Sequence, residues 1–133
     1  MKKLMVAAMM VMLAGSAWGA DVTWVGGNGD WNTGANWSTG NVPGINDNAI
    51  INSDVLVSSS ADVVVGSFWA SGSADLSFGA NSLTTTTAGT EDGDFYWNSG
   101  DVVSIGAVNV YGDYYENGSA GQQVSDITLY GAG

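Results

Sequence analysis

The sequence predicts an all-β fold, either a short β-solenoid or an antiparallel β-sandwich. Downstream of residue 20 there is one proline, Pro43, and no stretch has apolar residues at helical spacing. Gly, Asn, Asp, Ser and Thr separate short apolar runs throughout, as turn residues separate strands. The apolar runs alternate between apolar and polar positions, which is typical of strands with one buried face. This alternation is compatible with both architectures.

In most of the predicted strands an aspartate comes first, and apolar residues follow in an alternating pattern that starts directly after it. The runs are Asp54–Val57, Asp62–Val65, Asp75–Phe78, Asp94–Trp97, Asp101–Ile105 and Asp126–Leu129. Aspartate suits the turn before a strand, where its side chain accepts backbone N–H groups. The predicted inward residues are Val55, Val57, Val63, Val65, Leu76, Phe78, Val102, Ile105, Val108, Val110, Ile127 and Leu129.

The spacing of these aspartates favours the solenoid over the sandwich. Asp54 and Asp75 are 21 residues apart, and Asp75 and Asp94 are 19 apart. Asp101 and Asp126 are 25 apart. Spacings of about 20 to 25 residues suit one coil of a solenoid, in which each coil buries its inward side chains against the next coil.

The first 19 residues have the features of a signal peptide for the Sec pathway. Lys2 and Lys3 precede an apolar run, Leu4 to Leu13, that is too short for a membrane span. Small residues follow, and cleavage after Gly19 is predicted, with cleavage after Ala17 as the alternative. The predicted mature chain is therefore one β-rich domain, residues 20–133, that is secreted or displayed at the cell surface and has no membrane span.

The predicted mature chain contains no Lys, Arg, His, Cys or Met, because both lysines and all five methionines precede residue 20. Its 13 acidic residues give it a net charge of −13. Nucleic acids and anionic membranes are excluded as partners, since binding to either requires basic side chains. Nucleophilic systems built on His, Cys or Lys are also excluded, and the chain is predicted not to be an enzyme.

The most specific pattern lies near the start of the predicted mature chain. Thr23–Ser38 reads TWVGGNGDWNTGANWS, and Asn41–Gly44 (NVPG) and Asp47–Ile51 (DNAII) follow. This pattern resembles the N-terminal region of large secreted bacterial β-solenoid surface proteins, of the autotransporter-passenger-like and PEP-CTERM types. The resemblance covers residues 23 to 51 and implies a right-handed β-helix with a structural or adhesive role. Members of these families are usually several hundred residues long, so the chain is also interpreted as a fragment of a larger solenoid or as an independent module.

The aromatic segment 23–44 is predicted to cap the strand-rich part, residues 48–133. Trp24, Trp31 and Trp37 would cover the otherwise open end of a stacked core. The alternative is a carbohydrate-binding platform, in which exposed faces of Trp31 and Trp37 stack on sugar rings beside Asn and Asp side chains.

No cofactor is predicted, although Glu91–Asp94 is rich in carboxylates. Asp92 and Asp94 are candidate ligands for Ca²⁺, a cation that prefers oxygen donors. The cluster lacks the remainder of an EF-hand loop, and a solvated turn is the competing interpretation.

Together these features predict an exported, non-enzymatic structural or adhesion-type surface module, with a carbohydrate-binding module as the alternative. The predicted partners are cell-surface or matrix components, including glycans. The C-terminal segment Tyr130–Gly133 carries no capping helix or charged cover, which predicts self-stacking through an open C-terminal end.

Overall fold

A computed structural model of the protein describes residues 19–87, 93–98, 102–117 and 125–131. Within these ranges the chain forms short strands, one 3₁₀ turn at Gly34–Asn36 and no α-helix. The strands are β1 (Asp21–Thr23), β2 (Gly29–Asp30), β3 (Asn48–Ile51), β4 (Leu56–Ser58), β5 (Val63–Val65), β6 (Ser67–Ser71), β7 (Asp75–Ser77), β8 (Ser82–Thr85), β9 (Phe95–Asn98), β10 (Val102–Ser104), β11 (Ala107–Val110), β12 (Tyr114–Glu116) and β13 (Ile127–Leu129).

These strands form three sheets, which the chain visits in turn. Sheet I has the order β1-β3-β6-β9-β12, sheet II the order β2-β4-β7-β10, and sheet III the order β5-β8-β11-β13. The stretch of chain from one strand of sheet I to the next strand of sheet I is called a pass below. Neighbours within a sheet come from successive passes, so the strands are connected through the other sheets rather than by hairpins.

All strand pairs in the described part of the chain are parallel. Outside these strands, an isolated antiparallel bridge joins Trp24 and Trp37. The prediction of an all-β fold is therefore confirmed, and the antiparallel sandwich alternative is wrong. Alternation could not separate the two architectures, because side chains point to opposite faces in both kinds of strand.

Most of the predicted inward residues are buried. They are Val55, Val57, Val63, Val65, Leu76, Phe78, Ile105, Val108 and Val110. The side chain of Val102 lies outside the described residues. The core also contains residues that no leading aspartate marks, including Ala49, Ile51, Phe68, Ala70 and Leu83.

Ile127 and Leu129 are corrections to the predicted core. They pair in register with Val108 and Val110, which are fully buried, yet they are 39% and 56% exposed. Their strand β13 is at the edge of sheet III, and an inward side chain is covered only when a further strand lies beyond it.

Strand β12, which forms an edge of sheet I, carries a pair of hydrogen-bonded polar side chains. The hydroxyl of Tyr114 donates a hydrogen bond to the carboxylate of Glu116. Burial, and then the hydrogen bond and charge of Glu116, raise the pKa of Tyr114 well above its ordinary value of 10.0. Tyr114 therefore stays protonated at physiological pH and remains a donor to Glu116.

The three tryptophans of the aromatic segment are buried beside the edge strands β1 and β2. Trp37 makes edge-on contacts with Trp24 at 5.0 Å and with Trp31 at 4.7 Å between ring centroids. The indole N–H of Trp37 donates to the backbone carbonyl of Trp31 at 2.8 Å. The three rings lie over the core where sheets I and II begin, and the capping role of segment 23–44 stays a prediction.

Asp62 and Asp94, which lie directly before strands β5 and β9, connect successive passes. Asp62 Oδ1 accepts the backbone N–H of Ser82 at 2.8 Å and its hydroxyl at 3.0 Å. Asp94 Oδ1 accepts the backbone N–H of Asp113 at 2.9 Å. Each carboxylate thus satisfies a donor at the start of the next parallel strand: Ser82 begins β8, and Asp113 lies directly before β12.

We expect the hydrogen bonds from Ser82 to have a measurable effect on the pKa of Asp62. The backbone N–H and then the hydroxyl of Ser82 lower the pKa of Asp62 from its ordinary value of 3.8. A lowered native pKa stabilises the fold above pH 3.8, and this contribution is lost as the pH falls through the lowered value. In Ser82→Ala the pKa of Asp62 should rise part of the way towards 3.8, since the backbone donor remains. An NMR titration of the side-chain carboxyl carbon measures both values, and a pKa at or above 3.8 in the unsubstituted protein would contradict the assignment.

Candidate functional site

The outer face of sheet I carries a row of aromatic side chains. Parallel register places Thr23, Ile50, Trp69, Tyr96 and Tyr115 side by side on successive strands. The residues before and after them in β6 and β9 point inward and are buried. Trp69, Tyr96 and Tyr115 are called the aromatic row below.

Rings in the aromatic row stack on one another. The ring centroids of Trp69 and Tyr96 are 4.1 Å apart with planes inclined by 27°, and those of Tyr96 and Tyr115 are 4.6 Å apart at 6°. Tyr96 is enclosed between its neighbours, whereas 49% of the Trp69 surface is exposed. Stacking accounts for the position of Tyr96, but it leaves a large apolar surface of Trp69 in solvent.

A row of polar side chains lies beside the aromatic row. Asn48 Nδ2 donates to Asp21 Oδ1 at 2.9 Å, and Ser67 Oγ donates to Asn48 Oδ1 at 2.8 Å. Asn48 and Ser67 are buried, and Asp21 is exposed at the end of this chain of hydrogen bonds. The amide and the hydroxyl are thereby held in fixed orientations, with a carboxylate next to them.

The two rows enclose a groove of about 230 Å³, lined by Asp21, Asn48, Ile50, Ser67 and Trp69. Tyr96 covers the side of the indole that faces β9, so the groove lies against the side that faces β3. Drug-sized ligands occupy pockets of roughly 300–1,000 Å³, and this smaller groove suits a ligand of about one ring.

The groove combines one aromatic surface with a few oriented polar groups. Aromatic faces carry negative charge density and attract the C–H groups of an apolar ring face. The carboxylate of Asp21 accepts hydrogen bonds, as from hydroxyl groups, and Asn48 holds this carboxylate in orientation. A sugar ring has both features, an apolar C–H face and hydroxyls around its edge.

Charge restricts which ligands the groove can hold. Asp21 lines it, and Asp94 and Asp113 precede the strands that carry Tyr96 and Tyr115. No basic side chain occurs after Lys3. An anionic ligand would be repelled without compensation, so the groove suits neutral or cationic ligands.

The structure places Trp31 and Trp37 in the core rather than on the surface, with only 1% and 2% of their surfaces exposed. The sugar platform that the sequence suggested at these two residues is therefore wrong, because stacking requires an accessible ring face. The spacing of tryptophans in the segment could not reveal which of them are covered by the rest of the fold.

Of the two predicted calcium ligands, the structure describes only Asp94. Asp92 lies outside the described residues, and Asp94 accepts the backbone N–H of Asp113. Within the described ranges no three acidic, histidine or cysteine side chains are grouped so as to hold a metal ion. Calcium binding at Asp92 and Asp94 stays a prediction.

Sequence reasoning missed Trp69 as a functional residue, although a signal was present. Trp69 lies between Phe68 and Ala70, which are buried, and strand alternation therefore predicts an outward indole. A single exposed apolar residue is ordinary, but an outward tryptophan that continues into a row of stacked aromatic rings forms an apolar patch of the kind found at interaction sites.

The described residues contain no helix long and apolar enough to cross a membrane. Comparisons of the chain with protein-family models, with curated proteins and with solved structures found no match. The functional argument therefore depends on the geometry of the groove and on the composition of the chain.

Proposed function

We propose that the protein is an exported, non-enzymatic surface module of the adhesion type, which attaches to carbohydrate through the groove beside Trp69. The ligand class is a neutral or cationic glycan, one sugar ring of which packs on the indole. The carboxylate of Asp21 accepts hydrogen bonds from the hydroxyl groups of this ring. This proposal keeps the carbohydrate interpretation of the sequence but moves the binding surface from the buried tryptophans to sheet I.

The observation that carries the proposal is the half-exposed indole of Trp69, next to oriented polar groups in one groove. Burial of a large apolar side chain is favourable by about 1.5–3 kcal/mol, so leaving it exposed forgoes stability. A bound sugar ring would recover part of that burial. The absence of His, Cys and Lys from the predicted mature chain supports binding without catalysis.

We also propose that the three parallel sheets belong to a right-handed β-solenoid. The strand orders support this architecture, because neighbouring strands within each sheet come from successive passes of the chain. Crossover connections between parallel strands are right-handed in about 98% of cases, which supports the handedness. Such a column would display the aromatic row along its outer face.

The glycan proposal is tested by binding measurements on soluble oligosaccharides. We expect saturable binding of neutral or amino-sugar oligomers and none of polygalacturonate, measured by calorimetry or on an array. Trp69→Ala should lower the affinity at least tenfold, since interface tryptophans commonly contribute about 2 kcal/mol or more. Asp21→Asn should lower it less, because an amide retains hydrogen-bonding capacity.

Tyr130→Ala is the matched control, since Tyr130 is also exposed but follows β13 of sheet III. We expect it to bind glycans like the unsubstituted protein. Equal binding by Trp69→Ala and the unsubstituted protein would show that the groove is not the site. Failure of the unsubstituted protein to bind any glycan would overturn the proposed function.

A further inference from the structure

The backbone nitrogen of Ala20 lies beside a carboxylate that is already fixed in place. Its N–H donates to Asp47 Oδ1 at 3.1 Å, and the Ala20 carbonyl accepts the backbone N–H of Asn48 at 2.9 Å. Asp47 Oδ2 accepts the N–H of Gly44 at 2.8 Å, and the Asp47 N–H donates to the Gly44 carbonyl at 3.0 Å. The turn therefore holds the carboxylate where it meets Ala20.

We propose that export processing between Gly19 and Ala20 converts this hydrogen bond into an ion pair. A signal peptidase hydrolyses the peptide bond, water supplies the carboxylate oxygen of Gly19, and the nitrogen of Ala20 becomes an amine. An α-amino group has a pKa of about 8 and is protonated at neutral pH. The resulting ammonium group lies against Asp47 without any movement of the backbone.

The charge balance of the chain makes this ammonium group exceptional. No Lys, Arg or His occurs after residue 19, so at neutral pH it would be the single cationic group among 13 acidic side chains. The alternative cleavage after Ala17 would place the ammonium group on Trp18, two residues before Ala20. The nitrogen of Ala20 would then stay a neutral amide, and no ion pair with Asp47 would form through it.

The ion pair would fasten the first strand of sheet I. Strand β1 is three residues long and pairs only with β3 in the described structure. It carries Val22 in the core and Asp21 in the groove. This inference depends on the export part of the proposed function and not on glycan binding.

The first measurement is the intact mass of the exported protein, which we expect to begin at Ala20. A product that begins at Trp18 would overturn the proposal.

The second measurement uses the absence of lysine from the processed chain. An amine-reactive acetylating reagent then modifies one amine, the N-terminus, and leaves an amide N–H that still donates to Asp47. Acetylation replaces the charged ammonium group by a neutral amide, and we expect it to lower Tm by about 2–5 °C. An unchanged Tm would overturn the proposal, and this comparison needs no substituted protein.

Substitution of Asp47 separates the ion pair from other effects of acetylation. In Asp47→Asn, acetylation should no longer change Tm, and the amine should react roughly three- to tenfold faster because no carboxylate favours its unreactive protonated form. Asp54→Asn is the control, since it removes an exposed carboxylate from a different turn. It should behave like the unsubstituted protein in both assays. Equal sensitivity of Asp47→Asn and Asp54→Asn to acetylation would contradict the pairing.

Discussion

Trp31→Ala is expected to lower the free energy of unfolding by about 3–5 kcal/mol, as deletion of a fully buried aromatic ring does. The Trp31 ring contacts Trp37, Phe68 and Phe78 at centroid distances of 4.7, 6.2 and 5.7 Å. Its removal leaves a cavity between the cap and the core of sheets I and II. Thermal and urea denaturation should show a fall in Tm on the order of 10–20 °C.

Trp69→Ala is the control for Trp31→Ala, because it deletes the same side chain from the outer face. We expect it to change the free energy of unfolding by less than about 1.5 kcal/mol, since the indole is half-exposed and loses mainly its stacking on Tyr96. Equal destabilisation by the two substitutions would show that the cap does not depend on Trp31.

Gly72→Ala is expected to destabilise the protein by about 3 kcal/mol or more. Gly72 has a φ of +71°, and a Cβ atom there would lie 2.6 Å from the Asn52 carbonyl oxygen. Ser73, with a φ of +65°, continues the left-handed backbone between β6 and β7. Alanine therefore meets both an unfavourable backbone conformation and a backbone atom of the preceding pass.

Substitutions at two other glycines separate the cost of the backbone conformation from the cost of the close contact. Gly79 has a φ of +60° with no heavy atom within 4 Å of an added Cβ, so Gly79→Ala should cost only the backbone term, about 1–2 kcal/mol. Gly27 has open space and no positive φ, and Gly27→Ala should stay within about 0.5 kcal/mol of the unsubstituted protein. Urea denaturation of the three variants should give this order. A Gly72→Ala variant as stable as Gly79→Ala would show that the close approach to Asn52 is relieved at little cost.

The strands with a leading aspartate could be predicted from the sequence because their pattern is local. Leu76 and Phe78 alternate with polar residues and follow a turn-forming aspartate, and both are buried. The same pattern marked Ile127 and Leu129 correctly as inward in register, but it could not predict their exposure. Exposure depends on which strand lies beyond them, and the local sequence does not contain that information.

The candidate site could not be predicted because its residues come from distant parts of the chain. Asp21 and Asn48 are 27 residues apart, whereas Asn48 and Ser67 are 19 apart. No constant period aligns them, so the contact between the polar row and Trp69 appears only once the register of sheet I is known. The tryptophans of the aromatic segment gave a stronger signal in the sequence and directed the carbohydrate interpretation to buried residues.

The unequal lengths of the passes indicate where the chain can gain or lose residues. In sheet I the register is unbroken from Asp21 to Ser67 although one pass is eight residues longer than the next, so the connections between sheets absorb the difference. Insertions and deletions in those connections leave the outer rows aligned, whereas a single inserted residue within a strand would turn its inward side chains to solvent. Natural variation in length is therefore expected at the corners, where new loops can be added around an unaltered outer face of sheet I.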